Sequence, residues 1–587
     1  MAGAGAAALA ASPRLPGAAP ANATVRQRPN VIIVLLDDVG YADFSCHGNP
    51  VIKTPNVDRL HGESIRLTDF HVAPMCTPTR SQLMTGVDCL RNGAMAVATE
   101  RIFLRRGIPT AADVFAANGY RTGQFGKWHL GDTYPYRPQD RGFEEVLYFH
   151  LANIGQSDDY WCNDYFDPHF RRADGKPVQF EGYCTDILFS EAMKWMRQRT
   201  DKGEPFFCYL PLNAAHGPLY VPQKYREPYK DQRPNVASFF GMIANIDENM
   251  GRLDAVLRET GLRNNTILIF MTDNGGTAGV PVFNAGMRGR KTELYDGGHR
   301  VPCFIRWPGG RLRAAGDIAV LTEDQDILPT LVDLCGLKKP ESANFDGASL
   351  ARRLRGKEES MPVRMLVVQY GRPVKWNATV MWNRWRLVRG EELYDLATDP
   401  AQKKNVIAER AVTAAKMREH YELWWAGIEP LTLQRSPIVV GSDVQNPTPL
   451  TPSYHLDRGM SNAAVIRQGV ATNDVWYLEV AREGDYEIAL RRWPVEADAP
   501  IRGSVPAWRS QDKDSPNPGL PEGKALPIAR ARLQVADFKN DLPVGEKDKA
   551  AVFNLPLKGG RTNLLASFLD DQGKDLCGAY YVYVRRK

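Results

Sequence analysis

Hydrophobic positions in the first half of the chain come as short unbroken runs. Residues 30–38 read NVIIVLLDD and 266–276 read TILIFMTDNGG, the composition of a parallel strand covered on both faces. Residues 205–218 (PFFCYLPLNAAHGP) follow the same design, and 120–131 (YRTGQFGKWHLG) and 299–310 (HRVPCFIRWPGG) are weaker versions. Between them, 108–119 and 237–261 space their apolar positions at helical intervals. The alternation predicts an α/β domain over residues 28–335, with a mostly parallel sheet flanked by helices.

The pattern changes twice further on. Within 336–430, residues 378–400 alternate like a hairpin and 408–428 read as a closing helix, which predicts a smaller α+β subdomain with an antiparallel sheet. From 431 to 587, Pro-rich stretches separate short alternating runs such as 474–494 and 550–570, which predicts an additional β-sandwich. Residues 1–27 are rich in Ala, Gly and Pro, with ANA at 21–23 in the manner of a secretory cleavage site but no basic n-region. A periplasmic or secreted protein is the expectation, with a disordered tail as the alternative reading of 1–27, and this stretch is left out of the fold.

Composition adds little. At 587 residues, several domains are expected. No apolar run approaches membrane-spanning length. The net charge of +6 leans weakly towards anionic ligands, yet no Lys/Arg block of the nucleic-acid kind occurs. The nine cysteines are scattered, without zinc-like spacing or a disulfide framework. Oligomeric state is not legible.

Candidate chemistry collects at the ends of the apolar runs. One stops at Asp37-Asp38, another at Asp273-Asn274, and a third a few residues before His216. Ligand sites of open α/β sheets form at such C-terminal strand ends. Adjacent carboxylates repel unless a cation neutralises them, and hard oxygen donors suit Ca²⁺ or Mg²⁺. A lone Asp-Asp pair is more often a cap or a surface turn, but two acid-bearing pairs after buried strands weaken that reading. Lys127 and His129 lie two apart and would share a side of an extended segment. With His216 and Lys291 they supply acids, bases and fixed cations.

The stretch HVAPMCTPTRSQLMTG (71–86) places Cys76 at a helix entry, with Thr77 as the expected cap and Pro78 at the first helical position. Arg80 follows one turn on and could face the same anion. Alone, Cys76 reads as a buried structural thiol or as a thiolate nucleophile. Together, the set suits an ester of a tetrahedral oxyanion.

CTPTRSQLMTG resembles the signature C-x-P-x-R-x-x-x-x-T-G of the formylglycine-dependent (type I) sulfatases. NVIIVLLDDVGYADFSCHGNPVIKTPNVDRL, GKWHLG, GYCTD, TDNGG, RGRKTELYDGGHRVP and ELYDLATDP resemble that family's successive blocks, in order, over residues 28–430. A departure is Gln402, where the family usually has Glu. The resemblance implies an arylsulfatase-like hydrolase of sulfate monoesters with an alkaline-phosphatase-like fold. It implies that a formylglycine-generating maturation enzyme oxidises Cys76 to Cα-formylglycine, whose hydrate is the nucleophile. Asp37, Asp38, Asp273, Asn274 and modified Cys76 would bind one Ca²⁺, with Mg²⁺ as the alternative. Arg80 would hold the hydrate, Lys127 and Lys291 the sulfate oxygens. His216, with Lys291, would serve the leaving oxygen, and His129 the hydrate.

The expected substrate is a sulfated carbohydrate, since the aromatic and charged stretch 133–170 suits sugar stacking as well as ordinary loop packing. The alternatives are a broad arylsulfatase, a phosphodiesterase or phosphonate hydrolase of the same superfamily, and an inactive sulfoglycan-binding protein.

Overall fold

The computed structural model describes residues 1, 28–357, 363–471, 473–517 and 519–587. Apart from Met1, the signal-like stretch lies outside the described residues.

An eight-stranded sheet organises the first half. Its strands are β1 (Asn30–Leu36), β2 (Ile65–Leu67), β3 (Arg121–Phe125), β4 (Glu145–Leu147), β5 (Phe206–Pro211), β6 (Thr266–Thr272), β7 (Cys303–Arg306) and β8 (Gly316–Ile318). Their order is β8-β2-β7-β6-β1-β5-β3-β4. All run in one direction except β7, which is antiparallel to both β6 and β2. The apolar run at 299–310 marks a strand but not its direction.

Successive side chains of a strand point to opposite faces, and here both faces are covered. Ile32, Val34 and Leu36 enter one core with the helices α3 (Cys184–Asp201) and α4 (Pro234–Glu259). Val31, Ile33 and Leu35 enter the other, with α1 (Cys76–Thr85), α2 (Ala111–Ala117) and α5 (Ile327–Cys335). A strand buried on two sides cannot alternate with polar residues, which explains the unbroken runs.

Met365–Gln369, Ala378–Trp382, Trp385–Val388 and Glu392–Asp395 form an antiparallel four-stranded sheet. Helix α6 (Ala411–Thr432) packs Met417, Tyr421, Trp425 and Ile428 against it. Beyond it, a six-stranded and a four-stranded sheet, both mostly antiparallel, share one core. That core also takes Phe103, Tyr136 and Leu151 from the first half of the chain. No helix among the described residues is long and apolar enough to cross a membrane.

Candidate active site

Strand register brings the acidic pairs together. Leu36 of β1 lies opposite Thr272 of β6, so Asp37 and Asp273 leave the sheet side by side. The Asp273 amide donates to the Leu36 carbonyl at 3.0 Å, and the Asp38 amide donates to Asp273 Oδ1 at 3.2 Å. On the other flank, the Asp37 amide donates to the Ala214 carbonyl at 3.1 Å and the Ala215 amide to the Asp37 carbonyl at 2.8 Å. This pairing carries His216 to the cluster. At the end of β3, a Cβ on Gly126 (φ 126°) would stand 1.9 Å from the Pro211 carbonyl oxygen. Only glycine permits that approach, through which the Lys127 amide donates to the same carbonyl at 2.8 Å. Asp38 and His129, with φ of 61° and 60°, both hold left-handed backbone at the site, a conformation costly for such residues.

Helix α1 closes the site from below and differs from expectation at its start. Cys76 is its first residue, Met75 is the extended cap position, and no side chain caps it. Thr77 does not cap: its hydroxyl donates to the His129 carbonyl at 3.3 Å, and Pro78 is the third helical residue. The free first-turn amides favour an anion there.

Three buried carboxylates face three cations. Lys127 Nζ lies 2.5 Å from Asp37 Oδ2. Arg80 donates to Asp273 Oδ2 from Nη2 at 2.7 Å and from Nε at 3.1 Å, and its Nη1 donates to the Lys127 carbonyl at 3.2 Å. Lys291 Nζ donates to Asp38 Oδ1 and lies 3.5 Å from Cys76 Sγ. Burial alone would raise Asp38, but Lys291 and His216 outweigh it and hold the carboxyl well below the usual range. Burial and neighbouring Asp37 push Asp273 up to about 6 against the pull of Arg80. Burial pushes the Cys76 thiol up to about 12 despite Lys127 and Lys291.

The donor set fits a hard cation. Asp37 Oδ1 and Asn274 Oδ1 are buried and have no hydrogen-bond partner among the described residues, a costly state that a bound cation would relieve. Ligand atoms of Asp37, Asp38 and Cys76 lie within 4.8 Å of one another. Two other groups of potential ligands occur among the described residues. His71, Asp296 and His299 are engaged with each other and Arg386. In the group Cys46, His47 and His61, burial and Asp58 hold the Cys46 thiol protonated.

The two site histidines differ. His129 Nε2 faces the Val97 carbonyl at 3.1 Å and therefore carries the proton, leaving Nδ1 buried without a partner among the described residues. Burial, then Lys127 and Arg80, keep it neutral. His216 directs Nδ1 to the Gly217 carbonyl at 2.6 Å, so its Nε2 faces Asp38 Oδ2 at 3.7 Å. Burial pulls it down to about 4, against Asp38.

All the candidate residues thus meet at one place. Sequence reading missed Tyr165, whose hydroxyl donates to the His216 carbonyl at 2.7 Å. It lies within 133–170, where Tyr136, Tyr148 and Tyr165 are buried packing residues rather than sugar platforms. Gln402 accepts from the Asp296 amide at 2.8 Å, away from these groups.

The chain is similar to known proteins. Residues 29–337 match the family model described as Sulfatase, and 290–425 match N-sulphoglucosamine sulphohydrolase, C-terminal. Arylsulfatase G of Rattus norvegicus is 30% identical over 380 residues, 57% of this chain and 70% of that protein. N-acetylgalactosamine-6-sulfatase of Rattus norvegicus is 29% identical over 348 residues, 55% of this chain and 65% of that protein. Among solved structures, Ps i-CgsB in complex with k-i-k-neocarrahexaose is similar with a TM-score of 0.63 and 26% identity, over 68% of this chain and 93% of that one.

Proposed function

The chain belongs to the sulfatase family and is a sulfuric ester hydrolase, and from that premise we propose that it desulfates carbohydrates, with Cys76 oxidised to Cα-formylglycine as the nucleophile-bearing residue. The observation that carries this reading is the setting of Cys76. Its Sγ is buried at an uncapped helix start, 3.5 Å from Lys291 Nζ and grouped with the Asp37 and Asp38 carboxylates. A thiol pushed up to about 12 by burial is a poor thiolate nucleophile, which favours a modified side chain over plain cysteine chemistry.

The formylglycine hydrate would supply the oxygen that displaces the sugar oxygen from sulfur, and a second hydroxyl whose deprotonation lets sulfate leave as the aldehyde re-forms. Ca²⁺, with Mg²⁺ as the alternative, would be held by Asp37, Asp38, Asp273, Asn274 and modified Cys76, and would stabilise negative charge there. Arg80, fixed by Asp273, orients the side chain at position 76. Lys127 and Lys291 address the sulfate oxygens as point charges. His129, neutral and with Nδ1 free of partners, takes the proton released at position 76. His216 and Lys291 hold the proton for the leaving oxygen. Lys291 keeps its proton beside Cys76 and Asp38, and a sulfate brought to Nε2 favours charging His216.

A relative named for N-acetylgalactosamine 6-sulfate and a structural neighbour solved with k-i-k-neocarrahexaose support a carbohydrate substrate. Residues 28–335 would form the catalytic domain and 336–430 its subdomain. Residues 431–587 would be an accessory β-domain that buttresses the site wall. The chain should be co-produced with a formylglycine-generating enzyme, and the peptide across residues 73–80 weighed. Sulfated saccharides should be assayed beside phosphate esters. Aldehyde with sulfate release is expected; full activity with an unmodified thiol, or preference for phosphate, overturns the reading.

A further inference from the structure

A groove of about 1010 Å³ opens beside Lys291. It is bounded by residues 276–282 after β6, the start of α4, the loop at 290–292 and Pro516 from the C-terminal region. Arg233, Arg290 and Lys291 line it, and no acidic side chain among the described residues does. Lys291 turns inward to Asp38 and Cys76, whereas Arg233 and Arg290 are exposed at the outer part.

Those two guanidiniums are under-neutralised. Among the described residues, Arg290 pairs only with Glu293, at 3.7 Å, with both side chains exposed, a contact worth little. Arg233 makes no ion pair among the described residues. Elsewhere in the fold, Arg121 pairs with Glu144 and Glu204, and Arg172 with Glu145 and Glu191. A cationic wall with so little counter-charge of its own, continuous with a centre that binds an anionic ester group, suits a substrate with more than one negative charge.

The wall is also prebuilt. Near Pro516, the Leu219 amide donates to Asn517 Oδ1 at 2.6 Å and the Ser515 hydroxyl to the Leu219 carbonyl at 3.2 Å. The Val221 amide donates to Asp512 Oδ2 at 3.0 Å. A groove held open by such contacts pays less ordering cost on binding.

We infer that this groove binds a second anionic group, a sulfate or a carboxylate, on the same glycan that carries the scissile sulfate, with Arg233 and Arg290 as its partners. The inference rests on the sulfatase reading of the site and adds the charge of the neighbouring sugar. Arg233 lies at the head of α4 and away from the Lys291 loop, so its variants separate groove from centre.

The experiment compares wild type, Arg233→Ala, Arg290→Ala and the double variant on three disaccharides with the same scissile sulfate. The neighbouring sugar is sulfated, carries a uronate carboxylate, or is neutral. The ratio of kcat/KM for an anionic over the neutral neighbour should fall about tenfold per arginine lost, mostly through KM, the scale of one charged hydrogen-bonded contact. Arg233→Lys should recover part of it, and added salt should compress it. Which anionic neighbour wild type prefers identifies the group. A wild type indifferent to the neighbour's charge, or a double variant that keeps the wild-type ratio, overturns the inference. Should wild type release sulfate from none of the three, the carbohydrate-desulfating reading fails instead. The inference is then read by calorimetric binding of the disulfated disaccharide, which the double variant should weaken about a hundredfold if the groove holds it and leave unchanged if it does not.

Discussion

Asp273 gives one carboxylate oxygen to Arg80 and the other to the Asp38 amide. Removing it leaves the buried guanidinium with the Lys127 carbonyl and, as counter-charge, Asp37 at 3.7 Å. Breaking a buried pair in this way costs about 3–5 kcal/mol. Asp273→Ala should therefore unfold at lower denaturant and lose activity as chelation does. Titration with and without Ca²⁺ checks both: wild type should gain stability from the ion by linkage, and the variant should gain none. A second prediction concerns the leaving oxygen. Loss of a general acid costs ~10²–10⁴ in rate when that oxygen is a sugar alkoxide, and far less for a nitrophenolate. His216→Ala should thus be impaired more on a sulfated sugar than on nitrophenyl sulfate, and His129→Ala about equally on both. Equal losses for His216→Ala on the two substrates would remove it from the leaving-group side.

Among the elements, the central strands were legible because a sheet covered on both faces demands unbroken apolar runs, and β1, β5 and β6 have them. The acidic pairs were legible for a related reason: polar residues at a buried strand end need partners. The direction of β7 was not, since its apolar run suits either orientation and the long loop after β6 decides it. The start of α1 was misread because capping propensity points to Thr77, while the chain spends that hydroxyl on the His129 carbonyl and leaves the first-turn amides to the site. Tyr165 could not be found by spacing, for its link to the His216 carbonyl exists only in three dimensions. The end of α1 is the firmer signal. Gly86 has φ 66°, its amide donates to the Gln82 carbonyl at 2.7 Å, and an added Cβ would lie 2.9 Å from Phe345 Cδ1. Gly86→Ala should destabilise by about 1–2 kcal/mol from the left-handed backbone alone. Urea midpoints measure this, and kcat per folded molecule should change little, since the strain lies a helix length from Cys76.

For the whole molecule, the C-terminal sheets act on the catalytic half through their loops and their core. Phe103 stacks on Tyr136 with ring centroids 4.6 Å apart, within the same core as the C-terminal strands, so cutting the chain near 431 would expose apolar surface and confuse folding with function. A point variant is cleaner. Asp512, with a side chain 4% exposed, pairs with Arg226 and accepts the Val221 amide. The segment it grips begins at Val221, five residues after His216. Asp512→Ala leaves Arg226 with the Ser238 hydroxyl and the Val221 carbonyl, at a cost of about 1–3 kcal/mol for the unmet charge. If the contact serves only stability, kcat per folded enzyme should stay at the wild-type level. If it positions His216, a displacement of an ångström is enough for a loss approaching 10², and the loss should appear on sulfated sugar while nitrophenyl sulfate is spared. Asp512→Asn, which keeps an acceptor for the Val221 amide but not the charge, should recover most of the rate and less of the stability. That split between rate and stability is what a positioning role predicts and a merely structural one does not.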